Sequence, residues 1–484
     1  MTAWRSPALL GAALLLASPA AARADGAFPD SETVLTPAER PNDILLVTNF
    51  GLITSSDDGA TWSWSCEQTA NAYGLYYQWA PPPSNRLFAV ANDALVYSDD
   101  LACGWSTAGG LLAGVSVTDE FVDPSDGQHV LALGFANSTY SLYESREGGT
   151  TFDAPLYDAP VGESLAGVEI ARSDPQTIYL AIAASDAHPR LVRSTDGGST
   201  FTVNDLSASL GAGQIRIIAV DAQNPQRVFL RLLATANEAL AITADGGVTA
   251  TAPLTLDGNL TAFARLASGT ILAAGTIQSA MVAATFRSID GGASFQMLDG
   301  QPAIRALSER AGLVYAATNN FGDGYAIGTS ADEGTTWQPL FAYADVQQIS
   351  PCLAAACGYV CENEASLSVW PETVCSAAST GAAGGAGGSG AAGSSATGAA
   401  GAGTPGAGGS VGNGGAGGST GGGGAKPSSS GGCSSAGPPS PRGGATFAIF
   451  PLLLLLFLAR AGRSRRAWAI EGDAGGWRRS GPSR

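Results

Sequence analysis

Carboxylates dominate the titratable side chains between residues 25 and 375: 39 of the chain's 41 acids lie there, against 13 arginines. Two carboxyl groups facing each other ~5–10 Å apart could cleave a glycosidic bond, one as acid and the other as base or nucleophile. Seven of these acids, however, recur in one local frame, S-x-D-x-G-x-[ST]-[WF]. They are Asp57, Asp100, Glu147, Asp196, Asp245, Asp290 and Asp332. An acid in that frame accepts hydrogen bonds from the N–H groups that follow it and organises a tight turn, while the glycine permits a positive φ. Other catalytic groups are scarce. The only histidines are His129, after a Pro-Ser-Asp-Gly turn, and His188, before Pro189. Both read as loop residues, which argues against a three-His metal centre and weakens any Ser-His-Asp arrangement. No GxxxxGK[ST] loop occurs. The formal charge of residues 25–375 is −26, which excludes nucleic acid as a partner, since binding it depends on neutralising phosphates with Lys and Arg. Such a surface could collect calcium, but loosely.

The elements that carry the seven acids follow from their spacing, which runs 43, 47, 49, 49, 45 and 42 residues. A period in the forties with strand-rich intervals is the signature of a β-propeller, one four-stranded blade per repeat. The unit from Asp174 to Asn204 shows the logic. Asp174-Pro175 is a turn, Gln176 to Ile182 a β-rich run, and Leu191-Val192-Arg193 a short strand that enters the turn at Ser194. Phe201 then opens the next strand with a ring suited to packing against a neighbouring blade. Seven copies predict seven blades. Val346 to Ile349 follows the last blade and is placed to close the ring on the first, with Thr33-Val34-Leu35 as the rival strand. The second copy has Ala102 for its glycine and Gly104 for its hydroxyl residue, and the fifth ends in Ala250; those two turns are expected to be the least regular.

The repeated frame resembles the Asp-box, or BNR repeat, of sialidases, sortilin-type receptors, xyloglucanases and photosystem assembly propellers, over about residues 40–345. The resemblance implies that each box lies on an outer hairpin, away from a ligand-binding face, so its acid is a structural staple. It also raises two enzymatic alternatives. A sialidase would carry an aromatic-Arg-Ile-Pro motif, but the nearest N-terminal Arg-Pro is Arg40-Pro41, preceded by Ala38-Glu39. A xyloglucanase-like glycosidase would place its cleft between two propellers, and this chain has one; a close pair among 39 acids keeps that alternative open. The favoured function is a non-catalytic binding or structural scaffold, a monomer with an extracellular polysaccharide or protein as ligand. Tyr77 and Trp79, in an aromatic run with Tyr73 and Tyr76, are the candidate contacts if exposed, and a strand packed between blades if not.

Both ends of the chain read as addresses. Arg5, the apolar stretch 8–17 and Ala22-Arg23-Ala24 form a secretory signal peptide over residues 1–24. Export makes disulfides the default for the cysteines. Cys66 and Cys103 are placed to bridge adjacent blades, and Cys352, Cys357, Cys361 and Cys375 allow three pairings among themselves. Zinc is the weaker reading, because the cluster contains no CxxC pair. Residues 376–431 are almost entirely Gly, Ala, Ser and Thr, a composition with nothing to bury that predicts a disordered tether. Its ends would average about 40 Å apart. Then come Gly432-Cys433-Ser434, the 15-residue apolar run 445–459, and Arg460, Arg463, Arg465 and Arg466. As a helix the run would span ~22 Å of a ~30 Å hydrocarbon core. This order resembles the MYXO-CTERM tail of myxobacterial surface proteins. The resemblance implies processing near Cys433 by a sortase-like membrane protease and lipid attachment to that cysteine, which would leave the protein on the outer surface of the cell. A permanent short anchor is the alternative, and the 467–484 extension beyond the arginines departs from the pattern.

The expected architecture is therefore all-β: one seven-bladed propeller over 25–349, a Cys-rich cap over 350–375, the tether, and a sorting segment over 432–466 with a short hydrophobic helix.

Overall fold

A computed structural model describes residues 29–69, 77–235 and 237–375. The signal peptide, tether, Cys433 and hydrophobic run fall outside these residues, as do Tyr73 and Tyr76. The described chain is mostly β and forms a seven-bladed propeller.

Six four-stranded antiparallel sheets and one five-stranded sheet follow each other along the chain. Blade 4 illustrates the pattern with Ser164–Ile170, Ile178–Ala183, Arg190–Ser194 and Thr202–Asp205, running from the channel outwards. Its second strand, IYLAIA, is apolar on both faces and buried through Ile182, because a blade interior meets a neighbouring blade on each side. A strand buried on both faces loses the alternation of a half-exposed one. The fourth strand is the edge and is mostly exposed.

The core is divided among the seams. Leu131, Leu142, Ile178 and Leu180 join blades 3 and 4; Tyr179, Leu191, Val228 and Leu230 join blades 4 and 5; Phe229, Leu240, Ile271 and Ala273 join blades 5 and 6. The seam that closes the ring gathers Ile44, Ile53 and Trp64 of blade 1, Tyr315 and Phe341 of blade 7, and Trp370 from beyond the propeller.

Closure uses both segments that the sequence sets against each other. Ser31–Leu35 is the innermost strand of blade 1 and pairs with Ile44–Thr48. Gln348–Ile349 adds a fifth strand, parallel, outside Ser63–Cys66 of the same blade. They occupy opposite edges and do not compete. Hydrogen bonds flank the added strand and join Ser65 Oγ to Ser350 Oγ (2.7 Å) and Ser31 Oγ to Tyr343 OH (2.8 Å).

The cap is a helix, Ala354–Ser366, followed by a segment whose Trp370 packs 4.8 Å from the Trp64 ring. The cysteines correct the expected pairing. Cys66 bonds to Cys357 and Cys103 to Cys352, while only Cys361–Cys375 closes within the cluster. Cys66 ends the outer strand of blade 1 and Cys103 lies in the turn of blade 2. The cap docks beside both, with Cα separations of 5.5 and 5.7 Å, so each blade is bound to the cap and not to its neighbour.

Candidate functional site

The seven predicted turns occupy one place in every blade. Ser55, Ser98, Ser145, Ser194, Thr243, Ser288 and Ser330 each end a third strand, and the turn leads to the fourth. In blade 4 Ser194 Oγ donates to Asp196 Oδ1 (2.8 Å) and accepts from Gly198 N–H (2.9 Å). Thr200 donates its N–H to Asp196 Oδ1 (2.8 Å) and its hydroxyl to Oδ2 (2.6 Å). The Thr200 and Ser194 hydroxyls and the Thr200 N–H hold the Asp196 carboxyl down at about 2. Such an acid stays ionised and is saturated with donors, which fits it for holding a turn and not for proton transfer. The two degenerate copies fold alike. Asp100 still takes hydrogen bonds from Ser98 and Gly104, and Asp245 takes bonds from Thr243 and Thr249. The expected irregularity is absent because the lost side chains leave the backbone N–H donors in place.

Each turn is also a seam contact, which the sequence reading missed. Its fifth residue is left-handed in all seven copies, with φ from 70° to 92°, Ala102 included. A Cβ on Gly149 would lie 2.5 Å from Phe88 Cε1 of the preceding blade, and one on Gly247 would lie 2.7 Å from Leu191 Cδ2. The fourth residue receives an arginine from the preceding blade. Arg86 Nη1 donates to Gly148 O (2.6 Å), Arg227 to Gly291 O, Arg287 to Glu333 (2.6 Å) and Arg310 to Asp58 (2.6 Å). Four of the 13 arginines of residues 25–375 are thus placed at seams.

A second group of carboxyls lies on the innermost strands, around the channel. Asp119 of blade 3 accepts the Val168 N–H of blade 4 (3.2 Å), and Glu169 of blade 4 accepts the Val220 N–H of blade 5 (2.8 Å). Each strand carries a bulge nearby, at Val117/Asp119, Leu165/Gly167 and Ile217/Ala219. A bulge leaves a backbone group without its ladder partner, and near the last two a carboxylate from the preceding blade accepts an N–H of the bulged strand. Desolvation lifts Asp119 to about 7 against the opposing Val168 bond, and Glu169 to about 8 against the Val220 bond. Glu120, 6% exposed, is pushed well above the usual range by burial and by Asp119, and its Oε2 has no partner among the described residues. These acids line a cavity of about 150 Å³ with Gly167 and Arg216. A sequence signal existed: Thr118-Asp119-Glu120-Phe121 places two acids inside an otherwise strand-like run.

Tyr77 and Trp79 stand on the innermost strand of blade 2, both partly buried. The Tyr77 ring meets Trp105 edge-on at 6.2 Å, and Trp79 lies under the Arg40 guanidinium at 4.5 Å. Both belong to the apolar contact between blades 1 and 2. His129 is buried: Nδ1 lies 3.0 Å from Asp123 and Nε2 3.0 Å from Glu144. Burial lowers its pKa, but the two carboxylates outweigh this and raise it. His188 is exposed beside Asp205 (3.0 Å). Among the described residues no three His, Cys, Asp or Glu side chains gather as a metal site, and no helix is long and apolar enough to cross a membrane.

No protein family and no curated protein matches the chain. Among solved structures it is similar to a GH74 xyloglucanase from Xanthomonas campestris, at 14% identity over 64% of this chain and 58% of that one, TM-score 0.37. It is also similar to YCF48 from Cyanidioschyzon merolae, at 12% identity over 60% and 93%, TM-score 0.44. A Hadza microbial sialidase matches at 13% identity over 57% and 71%, TM-score 0.36. The chain thus spans little more than half of the xyloglucanase it matches. At such identities these likenesses concern the fold alone.

Proposed function

We propose that this chain is an exported propeller, tethered to the cell surface, that binds or presents a ligand and does not transform one. The observation that carries the reading is the covalent clasp. Two disulfides join blades 1 and 2 to the cap that follows the last blade in the chain, and a third braces the cap itself. Such bonds persist in oxidising compartments, in keeping with the signal peptide read in residues 1–24 and the sorting tail from Gly432 onwards. The seven repeated turns we read as Asp-boxes. Their acids and the inner-strand acids Asp119 and Glu169 are engaged in holding turns and seams, which supports a scaffold over a glycosidase.

Two measurements test this. Protease shaving of intact host cells should release the propeller into the medium; retention of the whole chain inside the cell would overturn export. Incubation of the purified protein with polysaccharides should give retention without new reducing ends, and their appearance would make it a hydrolase.

A further inference from the structure

A cleft of about 570 Å³ runs along the seam of blades 6 and 7 and takes in Thr335, Thr336 and Trp337 of the seventh repeat turn. Its volume lies within the ~300–1,000 Å³ of small-molecule sites. Three pieces of chain form it: the connection leaving blade 6 with Asp299 and Gln301, the loop of blade 7 with Asp323 and Tyr325, and the entry to the last strand with Thr336 and Trp337.

The two aromatic walls are fixed before any ligand arrives. Trp337 rests on the apolar contact of Ala262, Ala274, Ile304 and Ala316, and its Nε1 donates to Gln301 Oε1 at 2.9 Å. Gln301 is itself held through Nε2 by the carbonyls of Asp299 (3.2 Å) and Thr335 (3.3 Å). The Tyr325 ring lies against Gly328, where a Cβ would stand 2.6 Å from Tyr325 Cε2. Rings held this way can stack on a ligand with little ordering cost.

Both charges that line the cleft are negative. Asp323 Oδ2 accepts the N–H groups of Ala303 and Asn319, each at 3.1 Å. Asp299 is exposed, and its carboxylate makes no hydrogen bond among the described residues. Arg287, which reaches Thr335 Oγ1 at 3.4 Å, is occupied by Glu333 (2.6 Å). The cleft therefore offers the partly exposed rings of Trp337 and Tyr325, hydroxyl and amide groups, and two carboxylates with no cation beside them in the lining. We infer that it binds a basic saccharide, an oligomer of amino sugars whose rings stack on Trp337 and Tyr325 and whose ammonium groups meet Asp299 and Asp323. This inference rests on the reading of the chain as a binding module and names the class of ligand it takes.

Titration calorimetry on the full-length protein in detergent, at low ionic strength, tests it with four probes: a glucosamine tetramer, its fully N-acetylated counterpart, a galacturonate tetramer and spermine. The glucosamine tetramer should bind, the N-acetylated one about tenfold more weakly for loss of charge-assisted bonds, and the galacturonate not at all. Asp299→Asn, at an exposed position, should weaken the glucosamine tetramer about tenfold without moving the melting temperature. Trp337→Ala should remove binding. Absence of binding by the glucosamine tetramer would overturn the inference. So would spermine binding as tightly as the tetramer with Asp299→Asn without effect, since that result describes only an acidic surface. Either failure leaves the surface-release result untouched, and cleavage of the bound tetramer would contradict the non-catalytic reading while supporting the site.

Discussion

The hydroxyl of Ser194 does two things at once: it orients the Asp196 carboxylate and accepts the Gly198 N–H in the tightest part of the turn. Ser194 is 1% exposed, so Ser194→Ala leaves a buried N–H without a partner. That change should cost about 1–3 kcal/mol in chemical denaturation. Gly149→Ala should be at least as damaging, because it forces a left-handed alanine and drives a methyl into the Phe88 ring. A left-handed non-glycine residue alone costs roughly 1–2 kcal/mol, and differential scanning calorimetry would register the loss. Seven acids, their hydroxyl partners and the need for glycine were all legible in the sequence, since they depend on residues four apart. What the turn touches was not. Phe88 precedes Gly149 by a whole blade, and no local pattern connects them.

At the scale of the element, the inner strands decide how the ring responds to pH. Asp119 and Glu169 titrate near 7 and 8 in the fold because burial disfavours their charged forms, against ~4 for a free carboxyl. A group whose pKa is raised on folding contributes stability below the unfolded value, and that contribution is lost as pH rises through the folded one. The turn acids act in the opposite sense. Asp196 and Asp332, held at about 2 by neighbouring hydroxyl and N–H donors, contribute above ~4 and lose the contribution as pH falls through ~2. The melting temperature should therefore peak near pH ~4 and decline steadily towards pH ~8. In the double variant Asp119→Asn, Glu169→Gln the alkaline decline should shrink while the acid limb stays. An unchanged alkaline limb would remove these two carboxyls from the account. The acids could be seen in the sequence, but their environment arises only when three strands that are ~50 residues apart meet around a channel.

For the whole molecule, closure is the point where sequence and structure differ most. The period of the repeats predicted the number of blades, because each blade must repeat its turn. It did not predict that Ser31–Leu35 and Gln348–Ile349 take opposite edges of blade 1, nor that Cys66 and Cys103 both turn to the cap. Cysteine pairing depends on which rim the last helix docks against, and that is set by the packing of Trp370 on Trp64 and Phe50. The Cys66–Cys357 bond spans 291 residues and joins the two ends of the ring. Replacing both cysteines with serine should cost about 2–5 kcal/mol and should expose the seam of blades 1 and 7 to hydrogen exchange before the others. Uniform exchange across all seams would show that the clasp does not close the ring.

The central claim joins this clasp to export and surface attachment, and one measurement reaches all of it: intact and fragment mass spectrometry of the protein recovered from its host's membranes, alkylated without reduction. The account predicts a mature chain beginning at Asp25, with Cys66–Cys357, Cys103–Cys352 and Cys361–Cys375 bonded and a C-terminus near Cys433 carrying added lipid mass. A chain with alkylated propeller cysteines, still running from Met1 to Arg484 without added mass, would contradict it.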